Sequence, residues 1–382
     1  TAENRILPAS HNSAGGRIGF VAPSQHVSRI RLVVLFGGRS AEHDISCISA
    51  RHVVSALDPD RYEVVPVGIT REGRWVDARR LVLDAGPLAP AFPSPDLASG
   101  DDVLAAPGLP RSVDGSVQTV VFPLFHGPMG EDGTIQGMLE VAQLPYVGAG
   151  VLASAMCMDK TAAKEILQFH GIPQGRWQSI RVDEVSESRL DDLVTSLKYP
   201  IFVKPANLGS SIGVSRAGDR SGLASAVDLA SRYDDFVVLE ESVAGREIEV
   251  AVLGNASPEA SLPGEIVSGD GFYDYEKKYL NDSAELLVPA PLSDVEVARV
   301  QDVAVRAYRA LRVEGMARVD FFYDDQGRFL VNELNTIPGF TPISMYPKLW
   351  EASGVPTTEL LDRLVALALE RHERRCSHRL VR

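Results

Sequence analysis

Four residues that could do chemistry fall at alternating positions in two neighbouring apolar runs. Arg318 and Asp320 lie in residues 316–323, and Glu333 and Asn335 at the end of the second run, residues 328–334. Residues two apart on a strand share a face. If the runs pair as a hairpin across Asp324-Asp325-Gln326-Gly327, the turn is centred near Gln326 and Asp320 lies roughly opposite Glu333. Two carboxylates, an amide oxygen and a guanidinium then converge. Such oxygens are hard ligands that suit Mg²⁺, which keeps waters and takes its other ligands from substrate phosphates. The bland alternative is a surface hairpin with cross-strand charge pairs. It does not explain carboxylates set among Val319, Phe321, Phe322, Leu330, Val331 and Leu334. Like charges in such surroundings repel unless a cation lies between them.

A second region combines Lys204, inside the apolar run 200–205, with the loop Asn207-Leu208-Gly209-Ser210-Ser211-Ile212-Gly213. A glycine-rich loop can present backbone N–H groups to phosphate oxygens while a lysine supplies charge. The Walker pattern is absent. Residues 209–213 match the GxSxG of a hydrolase elbow, but that elbow needs a helix directly after the serine. Val214-Ser215-Arg216 and Ala217-Gly218-Asp219 read as strand and turn, so the match is accidental. Residues 148–153 fit GxGxxA, yet the strand before them is a stub and the expected acidic residue about 20 positions on is missing. A tight connection between two domains is the better reading there. His126 sits at the C-terminal end of a strand, where open α/β sheets bind ligands; a packed structural histidine is equally compatible. Glu42 opens a helix, where the dipole alone favours a carboxylate.

The elements that must position these groups begin at Ile30. A continuous apolar run at 32–36, a helix over 40–57, and strands at 62–69 and 118–124 indicate a doubly wound α/β layer. Residues 80–117, rich in Pro, Gly, Ser and Asp, read as a surface excursion. A helix over 133–142 and a strand stub at 146–147 close this unit. Beyond Gly148, a helix capped by Asp159 or Thr161 ends at His170-Gly171. Strands at 200–205, 214–215 and 236–240 flank a helix at 221–233. A third unit has strands at 247–253 and 264–267, a helix at 294–311, the hairpin, and a last helix at 357–370. The loop 268–285 is long, polar and tyrosine-rich, with Tyr273, Tyr275 and Tyr279, and reads as a candidate lid.

The composition bounds the possibilities. The chain has 382 residues, 45% hydrophobic and 23% charged, with a net charge of −13. No run approaches the ~18 apolar residues of a membrane span. The acidic balance argues against nucleic acid as a partner. Cys47, Cys157 and Cys376 form no CxxC pair, which suits a reducing compartment and gives no zinc site. Residues 1–29 read as a disordered leader, and the basic end at 371–375 as a frayed helix tail.

Taken in order, several motifs resemble the D-alanine–D-alanine ligase family of ATP-grasp enzymes. They are Phe36-Gly37-Gly38-Arg39-Ser40-Ala41-Glu42-His43; His126-Gly127 with Gly130-Glu131-Asp132-Gly133; and Met158-Asp159-Lys160. They continue with Val203-Lys204-Pro205 and Gly209-Ser210-Ser211; Tyr273-Asp274-Tyr275 with Lys278-Tyr279; Ala317-Arg318-Val319-Asp320; and Asn332-Glu333-Leu334-Asn335-Thr336 with Pro338-Gly339. The resemblance covers about residues 30–370. It implies an α/β, three-domain ATP-grasp architecture with an N-terminal doubly wound parallel sheet. The expected borders are 30–148 for the substrate domain, 149–241 and 242–372 for the two ATP-grasp units, and 373–382 for a tail.

The same resemblance implies the activity and the roles. ATP phosphorylates one D-alanine, and the amine of a second displaces phosphate to give the dipeptide of peptidoglycan synthesis. Lys160, Lys204, Ser211 and Lys278 would contact the nucleotide, with Glu240 at the adenine amine and Glu247 at the ribose. Asp320, Glu333 and Asn335 would hold two Mg²⁺ ions, with Mn²⁺ able to substitute. Arg318 and the N–H of Gly339 would steady the tetrahedral intermediate. Glu42 would take the ammonium of the first D-alanine, in a hydrogen-bonded set with Ser210 and Tyr279. His126 would face substrate, and Ser344 the second carboxylate. A tyrosine after the loop lysine matches the type that makes dipeptide rather than ester. A homodimer, a cytoplasmic location and no membrane insertion complete the expectation. The competing readings are another ATP-grasp carboxylate–amine ligase, with no need of Glu42 or Ser344, and a nucleotide-binding protein without catalysis.

Overall fold

The computed structural model describes residues 29–86, 89–97, 117–267 and 285–378. The expected leader, most of the 80–117 excursion, and the loop bearing Tyr273, Tyr275, Lys278 and Tyr279 lie outside the described residues.

The first sheet contains β1 (Ile30–Gly37), β2 (Tyr62–Ile69), β3 (Trp75–Asp77) and β4 (Thr119–Pro123), in the order β3-β2-β1-β4. β1 is parallel to both β2 and β4, and β3 is an antiparallel edge strand. Leu32, Val33, Val34, Leu35 and Phe36 are wholly buried, as a parallel strand covered on both faces requires. The stub at Tyr146 forms a parallel bridge to Val121. Part of the excursion packs rather than running over the surface. Arg79–Ala85 is helical, and the ring of buried Phe92 lies 5.2 Å from that of Phe36, tilted by 58°.

The second sheet is antiparallel: β5 (Trp177–Arg181), β6 (Ile201–Pro205), β7 (Ser215–Ala217) and β8 (Phe236–Glu241), ordered β5-β8-β6-β7. It closes its own core with Leu190, Leu193, Leu223, Val227 and Leu239. The third sheet holds β9 (Gly245–Gly254), β10 (Glu259–Ala260), β11 (Gly264–Val267), β12 (Glu285–Leu287), β13 (Gly315–Asp324) and β14 (Phe329–Asn335). Its order is β12-β11-β9-β13-β14, with β10 paired to β9.

One face of the third sheet packs on the helix Asp294–Ala310 and on two helices from beyond Gly148, Val151–Met158 and Lys160–Phe169. The last two were expected to belong with the second sheet, and their packing crosses that border. Ser293 and Glu296 form a reciprocal capping box at the start of 294–310. Asp159 caps the helix Lys160–Phe169 through Ala162 N at 2.9 Å. The other face of the third sheet shares a core with the first, joining Leu32, Phe36 and Phe122 to Met316, Phe340, Trp350 and Leu364.

The C-terminal helix, Thr357–Cys376, is longer than the sequence suggests, and its basic end is not frayed. Arg371 is buried and donates to the carbonyls of Gly148 and Tyr146, with its guanidinium 4.4 Å from the Tyr146 ring centroid. Arg374 and Arg375 pair with Glu314 and Glu140. Charge alone suggests solvation. What reverses it is the cluster of carbonyls left where the chain turns from the first unit at Gly148.

Candidate active site

The hairpin forms, with Asp320 directly opposite Glu333 and Arg318 opposite Asn335. A bulge interrupts the register between Asp320 and Phe321, so Phe321 pairs with Val331 and Asn332 is left over. The bulge changes which face the strand presents. Val331 points into the core, while Glu333, only two residues on, borders the cavity. Arg318 binds Asp320 through both Nε and Nη2, at 2.7 and 2.6 Å. It also lies 3.1 Å from Glu249 Oε2. Glu249 is buried and stands opposite Asp320 on β9, so Glu249, Asp320 and Glu333 line up across three strands, the first two bound to Arg318. Glu249 escapes the sequence reading, although the alternation Glu247-Ile248-Glu249 is a signal for it: Ile248 belongs to the core, and the two acids flanking it border the cavity on the other face.

Among the described residues, no group of three or more His, Cys, Asp or Glu side chains is arranged to hold a metal. Asp320, Glu333 and Asn335 provide two carboxylates and one amide oxygen, and Asn335 Oδ1 is steadied by the Ile337 N–H at 3.1 Å. An all-oxygen set this small fits Mg²⁺ that shares its shell with phosphate and water, and fits neither zinc nor a dedicated Ca²⁺ cage.

The loop after β6 forms two successive tight turns, Ile212 N to Gly209 O and Val214 N to Ser211 O. Ser210 and Ser211 both adopt left-handed backbone, at φ 54 and 58°. No helix follows Ser210, which excludes the hydrolase elbow. Asn207 anchors the loop by donating from its backbone N to Asp234 Oδ2 at 2.6 Å and from its side chain to Asp159 Oδ2 at 3.1 Å. Lys160 Nζ donates to the Leu208 carbonyl. Ser210 Oγ donates to Glu42 Oε1 at 2.5 Å, joining residues 168 apart in sequence. Glu42 occupies the N-cap position of the helix His43–Ala56 but makes no capping hydrogen bond. Glu42 therefore caps nothing through its side chain, and its carboxylate is engaged by Ser210 instead.

His126 is buried. Its Nδ1 faces the Ile337 carbonyl at 3.1 Å and Glu131 Oε1 at 3.4 Å, two acceptors that call for a proton on Nδ1. Nε2 is buried without a hydrogen-bond partner among the described residues. Burial opposes a charge on this imidazole, but the Glu131 hydrogen bond and the charge of Glu42 outweigh it, so His126 titrates above its ordinary value. A Cβ on Gly339 would come within 2.7 Å of Ser344 Oγ, so a larger residue there would push the Ser344 side chain aside. That hydroxyl is tied to Thr341, accepting from its N at 2.9 Å, and Ser344 opens the helix Met345–Ala352.

At the other side, Glu240 lies between two ammonium groups. Lys164 Nζ is 3.2 Å from Oε2, and Lys204 Nζ is 3.2 Å from Oε1. Burial raises its pKa, yet the two lysines more than reverse this and bring it down to about 2. Burial pushes Lys160 and Lys164 below the usual lysine range, with Glu333 and Glu240 resisting the shift. Lys164 was not singled out by sequence, though it lies one helical turn from Lys160 and so on the same face.

These residues line two adjoining cavities, of about 390 and 450 Å³. The first is bordered by Glu42, His126, Arg318, Asn335, Gly339 and Ser344. The second is bordered by Lys204, Ser211, Glu240, Glu247 and Asp320. Lys160, Ser210, Glu249 and Glu333 border both, at the junction. The structure thus brings together all the site residues expected from sequence except Lys278 and Tyr279, which lie outside the described residues.

Two antiparallel sheets closing on a cavity that combines Lys160 and Lys204 with acidic residues of both sheets define an ATP-grasp enzyme. The family description "D-ala D-ala ligase N-terminus" matches residues 31–149, and "D-ala D-ala ligase C-terminus" matches residues 166–366. The chain belongs to the D-alanine–D-alanine ligase family. It is 44% identical over 356 residues to the D-alanine--D-alanine ligase of Geobacillus thermodenitrificans, covering 90% of this chain and 97% of the relative. It resembles the solved D-alanine-D-alanine ligase from Coxiella burnetii at a TM-score of 0.77 and 37% identity, covering 91% of this chain and 97% of the other. It also resembles the VanG D-Ala:D-Ser ligase from Enterococcus faecalis at a TM-score of 0.78 and 33% identity, covering 89% and 100%.

Proposed function

We propose that this enzyme joins two D-alanine molecules into D-alanyl-D-alanine, converting ATP to ADP and phosphate, and so supplies the dipeptide for peptidoglycan. The observation that carries this reading is the pair of cavities meeting at Lys160, Ser210 and Glu333. One has the cations a triphosphate needs, and the other has separate anchors for two amino acids.

A carboxylate oxygen of the first D-alanine attacks the γ-phosphorus, the bond to the β,γ-bridging oxygen breaks, and ADP leaves. The amine of the second D-alanine then attacks the carbonyl of the acyl phosphate, loses its proton, and expels phosphate. The first step brings two anions together, so fixed positive charge dominates it. Lys160 and Lys204 meet the phosphates, with the N–H groups of the Ser210-Ser211 turn. Asp320, Glu333 and Asn335 would hold Mg²⁺, with two ions proposed and Mn²⁺ able to replace them, and the bound metal would supply further neutralisation of phosphate charge. Glu42, oriented by Ser210, binds the first ammonium. Arg318 and the Gly339 N–H face the carbonyl oxygen as negative charge develops on it. Ser344, at the positive end of the helix Met345–Ala352, takes the second carboxylate. His126 holds its Nε2 toward the first amino acid.

The borders 30–148, 149–241 and 242–372, a homodimer and a cytoplasmic location belong to the same proposal. All three cysteines are free, which suits a reducing compartment. Among the described residues no helix is long and apolar enough to cross a membrane. The test is ADP release with D-alanine, L-alanine, D-serine and D-lactate, with products weighed by mass spectrometry. D-alanine-dependent ADP release yielding the dipeptide is expected; equal release with L-alanine refutes the assignment.

A further inference from the structure

The steps above use Lys160 and Lys204 but leave Lys164 without a role. Its side chain is 3% exposed, its ammonium is paired to Glu240, and it borders neither cavity. Its backbone is fixed as well, since Gln174 Nε2 donates to the Lys164 carbonyl at 3.0 Å. Glu240 is differently placed. It borders the second cavity, and its Oε1, though near Lys204, is buried without a donor in hydrogen-bonding geometry among the described residues.

The two lysines that share Glu240 therefore differ in what a nucleotide can do to them. Lys204 faces the cavity and is open to competition from a triphosphate. Lys164 is not. If Lys204 were the sole counter-ion, each phosphate drawing it away would leave a buried carboxylate uncompensated, an arrangement that is strongly destabilising. With Lys164 on Oε2, Glu240 keeps its charge whichever way Lys204 turns, and Oε1 is the oxygen left to accept from a ligand when Lys204 turns away.

We propose that Lys164 is a positioning residue for nucleotide selection: a permanent counter-ion that holds Glu240 as a charged acceptor for the amino group of a 6-aminopurine nucleotide and releases Lys204 to the phosphates. The inference rests on the reading of Glu240 as the base-facing group. A hydrogen bond to a charged acceptor that one ligand makes and its analogue cannot is worth roughly tenfold or more in discrimination.

The test compares KM for ATP with that for purine riboside triphosphate, which lacks the 6-amino group, in the full-length enzyme. The unmodified enzyme should prefer ATP by roughly tenfold or more. Lys164→Met should raise the KM for ATP, bring the preference close to one, and leave kcat and the KM for D-alanine within about threefold. A merely structural role would not change the choice of base. Glu240→Gln separates the two levels of the argument. If it keeps the preference, the base-facing reading of Glu240 falls and this inference with it. If it abolishes the preference while Lys164→Met retains it, only the inference is overturned. Should Lys164→Met fail to fold, the double variant Lys164→Met/Glu240→Leu decides: recovery of the fold supports the counter-ion role, and continued failure overturns it.

Discussion

The bond from Ser210 Oγ to Glu42 Oε1, at 2.5 Å, connects the glycine-rich loop to the helix His43–Ala56. Its acceptor is a buried carboxylate, so its loss should cost about 1.5–3 kcal/mol, or roughly 10- to 150-fold. Ser210 also adopts φ 54°, a left-handed conformation that costs a residue with a Cβ roughly 1–2 kcal/mol. Two substitutions separate these effects. Ser210→Ala removes the hydroxyl and keeps the backbone strain. Ser210→Gly removes the hydroxyl and relieves the strain, at about 0.5–1 kcal/mol of extra unfolded-state entropy. Both should lower kcat/KM for D-alanine by roughly 10- to 100-fold in an ADP-release assay. In urea unfolding the glycine variant should be the more stable by about 0.5–1 kcal/mol. Ser210→Ala within twofold of the unmodified enzyme would refute the bridge as part of the site. Recovery of activity in Ser210→Gly alone would show that the backbone, not the hydroxyl, matters.

Glu333→Gln should lose turnover by roughly 100-fold or more, since metal charge stabilisation is worth several kcal/mol, while circular dichroism and thermal melting stay near normal; ordinary turnover at ordinary Mg²⁺ would end the ligand assignment. Arg371→Met removes two buried hydrogen bonds to Gly148 and Tyr146, and should cost about 2–4 kcal/mol in urea unfolding, with a change below about 0.5 kcal/mol counting against the clamp. His126 should titrate above 6.5 when followed by NMR. Its folded value is raised, so its contribution to stability is complete below about pH 6.5 and declines as pH rises through the raised value. Glu131, pushed up by its burial, acts in the same direction. The loss of stability on going alkaline should therefore be shallower in His126→Gln, and an imidazole titrating below 6.5 would contradict this.

What the sequence made legible was set by periodicity and by local signals. The strand of residues 32–36, the hairpin and the Asp159 cap follow from patterns spanning a few residues, and all three are present. The short strands β3, β5, β10 and β12 and the helix Val151–Met158 were not legible. Their periodic signal is too brief, and pairing or packing with distant partners decides them. The bulge at Asn332 shows the same limit at the site. Simple alternation would put Val331 and Glu333 on one face, and only the extra residue turns them to opposite faces, with Val331 in the core. Lys164 and Glu249 escaped for a related reason: each acquires its role from a partner on another element, Glu240 or Arg318, and a single sequence does not show which elements meet. The basic tail erred in the opposite direction, since Arg371 looks solvated until the carbonyls at Gly148 are placed beside it.

The location of the site follows from how the cores are divided. The first and third sheets are fused by shared apolar residues, whereas the second sheet closes its own core. The two cavities lie at the boundary between them, where polar groups can gather without disrupting a core. Each such group must then find its partner across the boundary. Ser210 reaches Glu42 from the second unit to the first. Lys164, on a helix packed against the third sheet, reaches Glu240 on the second. A buried carboxylate satisfied from a different unit is stable only when the units are assembled. The charged groups at the proposed site therefore also register the second sheet against the rest of the molecule, through Glu42 on one side and the Lys164–Glu240 pair on the other.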